Sequence, residues 1–509
     1  MEKTLCLLIS VILACSETAK ILVVFPRPAK SHGILGDGYV RHLLNAGHEV
    51  TYITPFTYKN PPAKLRTVDV TNVFNLKGIM DKQSDEIHSV FETYMMLEIA
   101  KTVDNENVQT ILSDPKEQFD AVIVEWMFSD VGAGFAAVFD CPLIWSSSLD
   151  PHWQILKLID EPSNPAYAVD FMSSNFSPLS FLQRANELWI QLKVQWLDDV
   201  EEKLYTSIFS PIFAKRGRPL PAYNKVRYNA SLLLSNAYVT TSGGASLPQS
   251  HKFIGGYHID DIRLRLLLQT CGDYVCHGVI YFSMGSNLRS KDLPDEIKVS
   301  LLKMFGSLKQ AVLWKFEEVL PNLPENVHIL EWAPQQEILS HPNLAVFVTH
   351  GGLLSMTEAI HFGVPIIGIP VFGDQSMNIV KSVNIGFAKR VDLSYTMADE
   401  LKEKILEVTS NKRYAEKAKE LSFIYHDRPV KPGQELVHWV NHVVNTRGAR
   451  HLRSPALDLP FYKRRFLDLV ALIVVLLLAV YILSKRACAY ICSQLFSAKG
   501  NIRSKKKSN

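Results

Sequence analysis

The stretch "AVFVTHGGLLSMTEAIHFGVPIIGIPVFGDQ", Ala345–Gln375, decides the fold. An apolar run stops at a Gly-Gly turn, a helical pattern follows, and a second apolar run is bounded by Pro365 and Pro370. Strands that alternate with helices imply a parallel sheet, in which ligands gather beyond the carboxyl ends of the strands. The turn holding His350, Gly351 and Gly352 lies at such an edge, and the helix from about Ser355 presents unpaired N–H groups to an anion. The pattern reads as a pyrophosphate cradle. It is neither G-x-G-x-x-G nor a Walker A loop and contains no lysine, so backbone N–H groups, His350 and Ser355 are expected to meet the negative charge. A glycine turn that serves tightness alone fits the same letters.

The same alternation extends in both directions. Downstream of about Asp273, "GVIYFSMGS", "AVLWKF" and "VHILEWAP" read as further strands separated by helical patterns. Upstream, "KILVVFP" from Lys20, "GYVRHLLNAG" and "HEVTYIT" form a βαβ unit, and "FDAVIVEW", "DVGAGFAAVFD" and "CPLIWSSS" resume it after a less regular stretch. Pro151 to Ser210 is helical and aromatic without a strand signal. At 509 residues the chain exceeds what one core usually serves. Two doubly wound α/β domains are expected, 17–265 and 266–450, facing each other across a cleft. The formal net charge of +3 and 21% charged residues mark a globular chain with no nucleic-acid partner.

Several side chains fall on the ligand edges. His32 follows the first strand, and Glu125 nearly ends "FDAVIVEW", so both emerge on one edge if the strands are parallel. An imidazole oriented by a carboxylate suits proton removal from a hydroxyl, worth about 10²–10⁴-fold in rate. Trp332 precedes Ala333-Pro334 and either stacks on a planar ligand or packs in the core. Glu358 either bonds a ribose diol or is a solvated helix residue. Asp374, ahead of Gln375, reads without further context as a helix cap.

The ordered set "WAPQ", "THGG", "SMTEA", "GVPIIGIP" and "GDQ", with "SHG", "GHEVTYITPF", "FSMGSN" and "DRPVKPGQELVHWVNHVVNTRGARHLRS", resembles the UDP-glycosyltransferases across nearly the whole body. The resemblance implies a GT-B fold, two facing Rossmann-like domains. It implies that Trp332 stacks on uracil, Gln335 lies near the nucleoside and Glu358 holds the ribose hydroxyls. His350 with the Gly351-Gly352 turn meets the diphosphate, Ser286 and Ser355 add hydrogen bonds, and Asp374 with Gln375 grips the sugar. His32 is then the general base, oriented by Glu125, in an inverting transfer from a UDP-sugar co-substrate, without metal or other cofactor. The family usually has aspartate where this chain has Glu125, so the pairing depends on the backbone yielding space for one more methylene. Leu354 and Ser355 stand where many vertebrate members have asparagine and glycine, which resembles insect members that generally use UDP-glucose. Glucose is preferred over glucuronate as donor, and the acceptor is expected to be a small lipophilic molecule bearing a hydroxyl, bound by the variable regions Phe56–Met96 and Asp150–Leu197. A binding protein that keeps the fold without turnover is the competing class, and association as a homo- or hetero-oligomer stays open.

The ends place this body. Lys3, the apolar run Leu5–Cys15 and small residues Ala14 and Ser16 read as a signal peptide over 1–16. The apolar segment 466–484 spans about 27 Å as a helix and reads as a single membrane anchor after a juxtamembrane stretch 451–465. The tail 485–509 is then cytosolic, and Lys506 and Lys507 resemble a dilysine signal for return to the endoplasmic reticulum. Cys271 and Cys276 fit a local bridge or two free thiols equally. Sequons at Asn175 and Asn229 are glycan candidates, with Pro178 weighing against the first.

Overall fold

The computed structural model describes residues 18–71, 87–171, 173, 175–194, 198–242, 244–259, 277–286 and 290–505. The expected signal peptide, Cys271, Cys276 and the terminal lysines Lys506 and Lys507 lie outside the described residues. In the first half, strands β1 (Lys20–Val24), β2 (Glu49–Thr54), β3 (Leu65–Asp69), β4 (Ala121–Trp126), β5 (Leu143–Ser147), β6 (Ala230–Ser235) and β7 (His251–Phe253) form one sheet. Its spatial order is β3-β2-β1-β4-β5-β6-β7. The second half carries β8 (Val279–Ser283), β9 (Ala311–Lys315), β10 (Val327–Leu330), β11 (Leu344–Thr349), β12 (Ile366–Gly368) and β13 (Ala388–Arg390), ordered β10-β9-β8-β11-β12-β13. The described pairings in both sheets are parallel. Both are doubly wound, the GT-B arrangement.

Continuous apolar runs form these strands because both faces of each sheet are covered. In β1, Leu22 and Val24 join the cluster on one face while Ile21 and Val23 join the opposite one. In β11, Val346 and Val348 separate from Phe347 in the same way.

The first helix differs from its sequence pattern. It runs Lys30–Asn45, starting before the expected Gly38, so that His32 occupies its first turn. Gly33, Gly36 and Gly38 argue against a helix by propensity. Here they let it press onto its neighbours: a Cβ at Gly36 would lie 2.1 Å from the Tyr52 hydroxyl, and one at Gly38 2.8 Å from the Tyr257 ring. Packing outweighs propensity.

A late helix, Pro432–Asn445, lies on the first sheet although its sequence follows the second half. Its Leu436, Val440 and Val443 join Ile21, Val23 and Leu232 in one buried cluster, and it packs along the helix Lys30–Asn45. The second compact unit, Ser454–Asn509, holds the helix Leu467–Lys505. Its segment Leu467–Gln494 has a mean hydropathy of 2.8, is unburied, and is long and apolar enough to cross a membrane. Cys488 and Cys492 are exposed on it.

Leu436 is fully buried in that layer. Leu436→Ala is expected to cost about 2–5 kcal/mol in a denaturant titration, and an unchanged midpoint would exclude the late helix from the cooperative core.

Candidate active site

Strand order reverses between β1 and β4, the position at which open α/β sheets bind ligands. His32 stands just beyond β1 and Glu125 at the end of β4, and they meet: His32 Nδ1 lies 2.5 Å from Glu125 Oε1. A carboxylate can only accept, so Nδ1 carries the proton and Nε2 is left as a free acceptor. Ser148, just past β5, donates its hydroxyl to the same carboxylate oxygen. The longer Glu125 needs no distortion, because β4 keeps a regular register with β5, including Glu125 opposite Ser146. The glutamate side chain is sealed from solvent, whereas His32 lines a cavity of about 840 Å³ between the two halves.

The second sheet reverses its order between β8 and β11, and the loops there form the facing wall. Gly285 and Ser286 follow β8, and His350, Gly351 and Gly352 follow β11. The glycines are required by close approach. A Cβ at Gly285 would lie 2.5 Å from the His350 ring and one at Gly352 2.6 Å from it, while Gly351 has φ +87° with Ile379 against it. The helix Leu353–Phe362 begins at once, with Gly352 as its N-cap and no side chain occupying the cap. Ser286 and Ser355 line the same cavity.

Burial, reinforced by the charge of Lys315, pulls the His350 imidazole down to about 4. It is therefore a neutral hydrogen-bonding group at physiological pH. Among the described residues the cation lining this wall is Lys315, the last residue of β9, buried and 2.6 Å from Glu317 Oε1. Sequence inspection passed over it, although its place at a strand's carboxyl end was the available signal.

Beside this turn the residues expected around a nucleoside form one network. Gln335 Nε2 donates to Glu358 Oε2 at 2.6 Å and to Ser355 Oγ at 3.1 Å, and Gln336 Nε2 donates to Glu358 Oε1 at 3.0 Å. Glu358 is buried, so the solvated reading fails. His258 of the first half places Nε2 3.4 Å from Glu358 Oε1 across the interface. Trp332 is 50% exposed, which excludes core packing, and Lys30 Nζ lies 3.9 Å from its ring centre.

Asp374 immediately precedes the helix Gln375–Ile385, yet its side chain caps nothing. It accepts from Asn378 Nδ2 at 2.6 Å and faces the cavity. Burial raises its carboxyl to about 6, and the charge of Asp150 pushes the same way while His32 opposes it, which places all three within electrostatic reach. Gln375 Oε1 accepts from the Val371 and Phe372 N–H groups, which leaves its amide N–H groups to a ligand. Asp150, from beyond β5, is held by Lys381 Nζ at 2.8 Å and ties the halves together. Of the glycan candidates, Asn175 has its amide bonded to Glu187 and Gln183, whereas Asn229 is exposed.

The profile of the family described as "UDP-glucoronosyl and UDP-glucosyl transferase" matches residues 20–502. This chain belongs to that family. It is 31% identical over 519 residues to UDP-glucosyltransferase 2 of Dactylopius coccus, covering 98% of each chain. It is 28% identical over 528 residues to UDP-glucuronosyltransferase 1A1 of Rattus norvegicus, covering 99% of this chain and 97% of that one. Among solved structures, CalG4, the calicheamicin glycosyltransferase, superposes with a TM-score of 0.58 at 16% identity, over 84% of this chain and 99% of its own. That likeness speaks to the fold alone. The protein is thus a UDP-glycosyltransferase, glucosyl or glucuronosyl.

A carboxyl raised in the folded state takes up a proton that the unfolded chain has lost, so Asp374 lowers stability as pH climbs from about 4 to 6. Asp374→Asn is expected to raise unfolding free energy by about 1–3 kcal/mol at pH 7 and to change it little at pH 4. Thermal melts at the two pH values check this, and an equal shift at both would assign the effect to packing.

Proposed function

We propose that the protein transfers glucose from UDP-glucose to a hydroxyl of a small lipophilic acceptor, with inversion, giving a β-glucoside and UDP. The observation that carries this reading is the His32 to Glu125 hydrogen bond at a cavity wall facing Asp374 and Gln375. His32 Nε2 takes the acceptor's proton as the acceptor oxygen bonds to the anomeric carbon. The bond from that carbon to the diphosphate breaks, and its electron pair leaves with UDP. Base and leaving group on opposite walls suit an in-line displacement, which inverts the centre. Glu125 keeps the imidazole in the accepting tautomer and steadies it once protonated.

In this reading Trp332 takes the uracil, Glu358 with Gln335 the ribose, and Asp374 with Gln375 the sugar hydroxyls. The Gly351-Gly352 turn, Ser286, Ser355, His350 and Lys315 meet the diphosphate. Glucose is favoured over glucuronate because the carboxyl of Asp374 lines the sugar end of the cavity, and Lys381 is already bonded to Asp150. A second carboxylate there would meet like charge. The apolar helix and the tail's lysines support an anchor in the endoplasmic reticulum membrane with the body luminal and Asn229 available for glycosylation.

Membranes carrying wild type or His32→Ala, given UDP-glucose or UDP-glucuronate with phenols, flavonoids and aliphatic alcohols, test this by product mass. Transfer from UDP-glucose that falls at least about 10²-fold in the variant is expected. Retained activity in the variant would remove His32 as base. UDP binding without product from any pair would favour a carrier.

A further inference from the structure

Arg27 stands between two prolines on the loop that leaves β1, shortly ahead of His32. It is 8% exposed and lines the same cavity as His32. Its neighbours in that wall include Met127, Phe128 and Phe171, with the two phenyl rings 4.4 Å apart. The chamber beside the base is therefore apolar and aromatic, and a guanidinium is lodged in it.

A guanidinium remains charged and carries five N–H donors in a planar fork. Burying it is costly unless it is paired with good geometry. Two polar contacts are made by Arg27 among the described residues, and both fall on Nη1: Met95 Sδ at 2.7 Å and Glu98 Oε2 at 3.5 Å. The ion pair to Glu98 is long. Nε and Nη2 form no hydrogen bond among the described residues, and the side chain, 10% exposed, lines the cavity. One edge of the fork, Nε with Nη2, is thus left unpaired among the described residues. Apolar pockets use a few polar groups of this kind to orient what they bind.

We infer that Arg27 is a specificity-determining residue whose free edge takes a carboxylate on the acceptor. The favoured acceptors are then hydroxylated aromatic acids, their hydroxyl turned to His32 and their carboxylate to Arg27. Arginine suits this role because its fork matches a carboxylate in a bidentate way. Glu98 competes for the same guanidinium. The inference rests on the reading of His32 as the base and adds the chemical class of the acceptor.

The full-length protein in membranes, with UDP-glucose as donor, is given 4-hydroxybenzoate and 3-(4-hydroxyphenyl)propanoate, each beside its methyl ester. For wild type, kcat/KM for the acid is expected to exceed that for the ester by at least about tenfold for one of the pairs, the scale of a hydrogen bond to a charged group. Arg27→Met is expected to abolish that ratio and Arg27→Lys to retain part of it. Glu98→Gln, which removes the competing carboxylate, is expected to raise it. An acid-to-ester ratio that is the same in wild type, Arg27→Met and Glu98→Gln overturns the inference and leaves the Arg27 to Glu98 pair a structural tie. If Arg27→Met does not fold, the Glu98→Gln ratio alone decides in the same sense. If no acceptor is glycosylated, the proposed function fails instead. Equilibrium binding of acid and ester to the detergent-solubilised wild type and Glu98→Gln, read as a ratio of Kd values, then tests Arg27 separately.

Discussion

The site depends on one topological constraint used twice. A parallel sheet whose strand order reverses leaves a crevice at its carboxyl edge, since the loops on either side of the reversal run off to opposite faces. The first sheet reverses between β1 and β4, and the second between β8 and β11. Each reversal brings together residues distant in sequence: His32 meets Glu125, and Gly285 meets His350. Because both crevices open on one cavity, the His32 to Glu125 pair on the first wall faces the glycine turn of the second. Neither sheet alone offers more than half of that chemistry.

Charge is divided along the cavity in a way that follows from burial. At the turn after β11 the imidazole of His350 is kept neutral by its surroundings and by Lys315, so positive charge resides on the lysine and the helix N-terminus. Farther along, the buried carboxyl of Asp374 lines the cavity, and Asp150, itself paired with Lys381, acts on it electrostatically. In the proposed reading the phosphates of a UDP-sugar lie by Lys315 and its sugar by Asp374. Polar groups that lower the stability of the empty protein can be kept where they bind a ligand.

Much of this was legible in the sequence because parallel strands buried on both faces leave unbroken apolar runs. The strands β1, β2, β4, β5, β8, β9, β10, β11 and β12 stand where those runs lie. The short β7 and β13 hide in polar or mixed segments, whereas the equally short β12 is marked by the prolines that bound its apolar run. The start of the helix Lys30–Asn45 was masked by glycines whose helix cost is offset by contacts with Tyr52 and Tyr257, contacts that no local pattern announces. The ambiguities around Trp332, Glu358 and Asp374 were matters of burial, which composition does not encode. An exposed indole, a buried glutamate and an aspartate that leaves its helix uncapped each turned away from its commoner role. Arg27, His258 and Lys315 carry no motif. Only the third dimension sets a charge beside a cavity.

The two walls stay in register through contacts that belong to neither motif. Lys381 of the second half bonds Asp150 of the first, His258 of the first lies against Glu358 of the second, and the Tyr425 hydroxyl donates to the Gly255 carbonyl. The late helix Pro432–Asn445 then seals itself onto the first sheet by burying Leu436, Val440 and Val443. This return ties the end of the second half to the first by apolar area, which charge screening does not weaken, whereas the pair between Lys381 and Asp150 is polar and partly exposed. Asp150 joins two of these functions, since it bonds Lys381 and also acts on Asp374. A change in the gap between the halves therefore alters the field at Asp374, so the geometry of closure and the electrostatics of that wall are one variable.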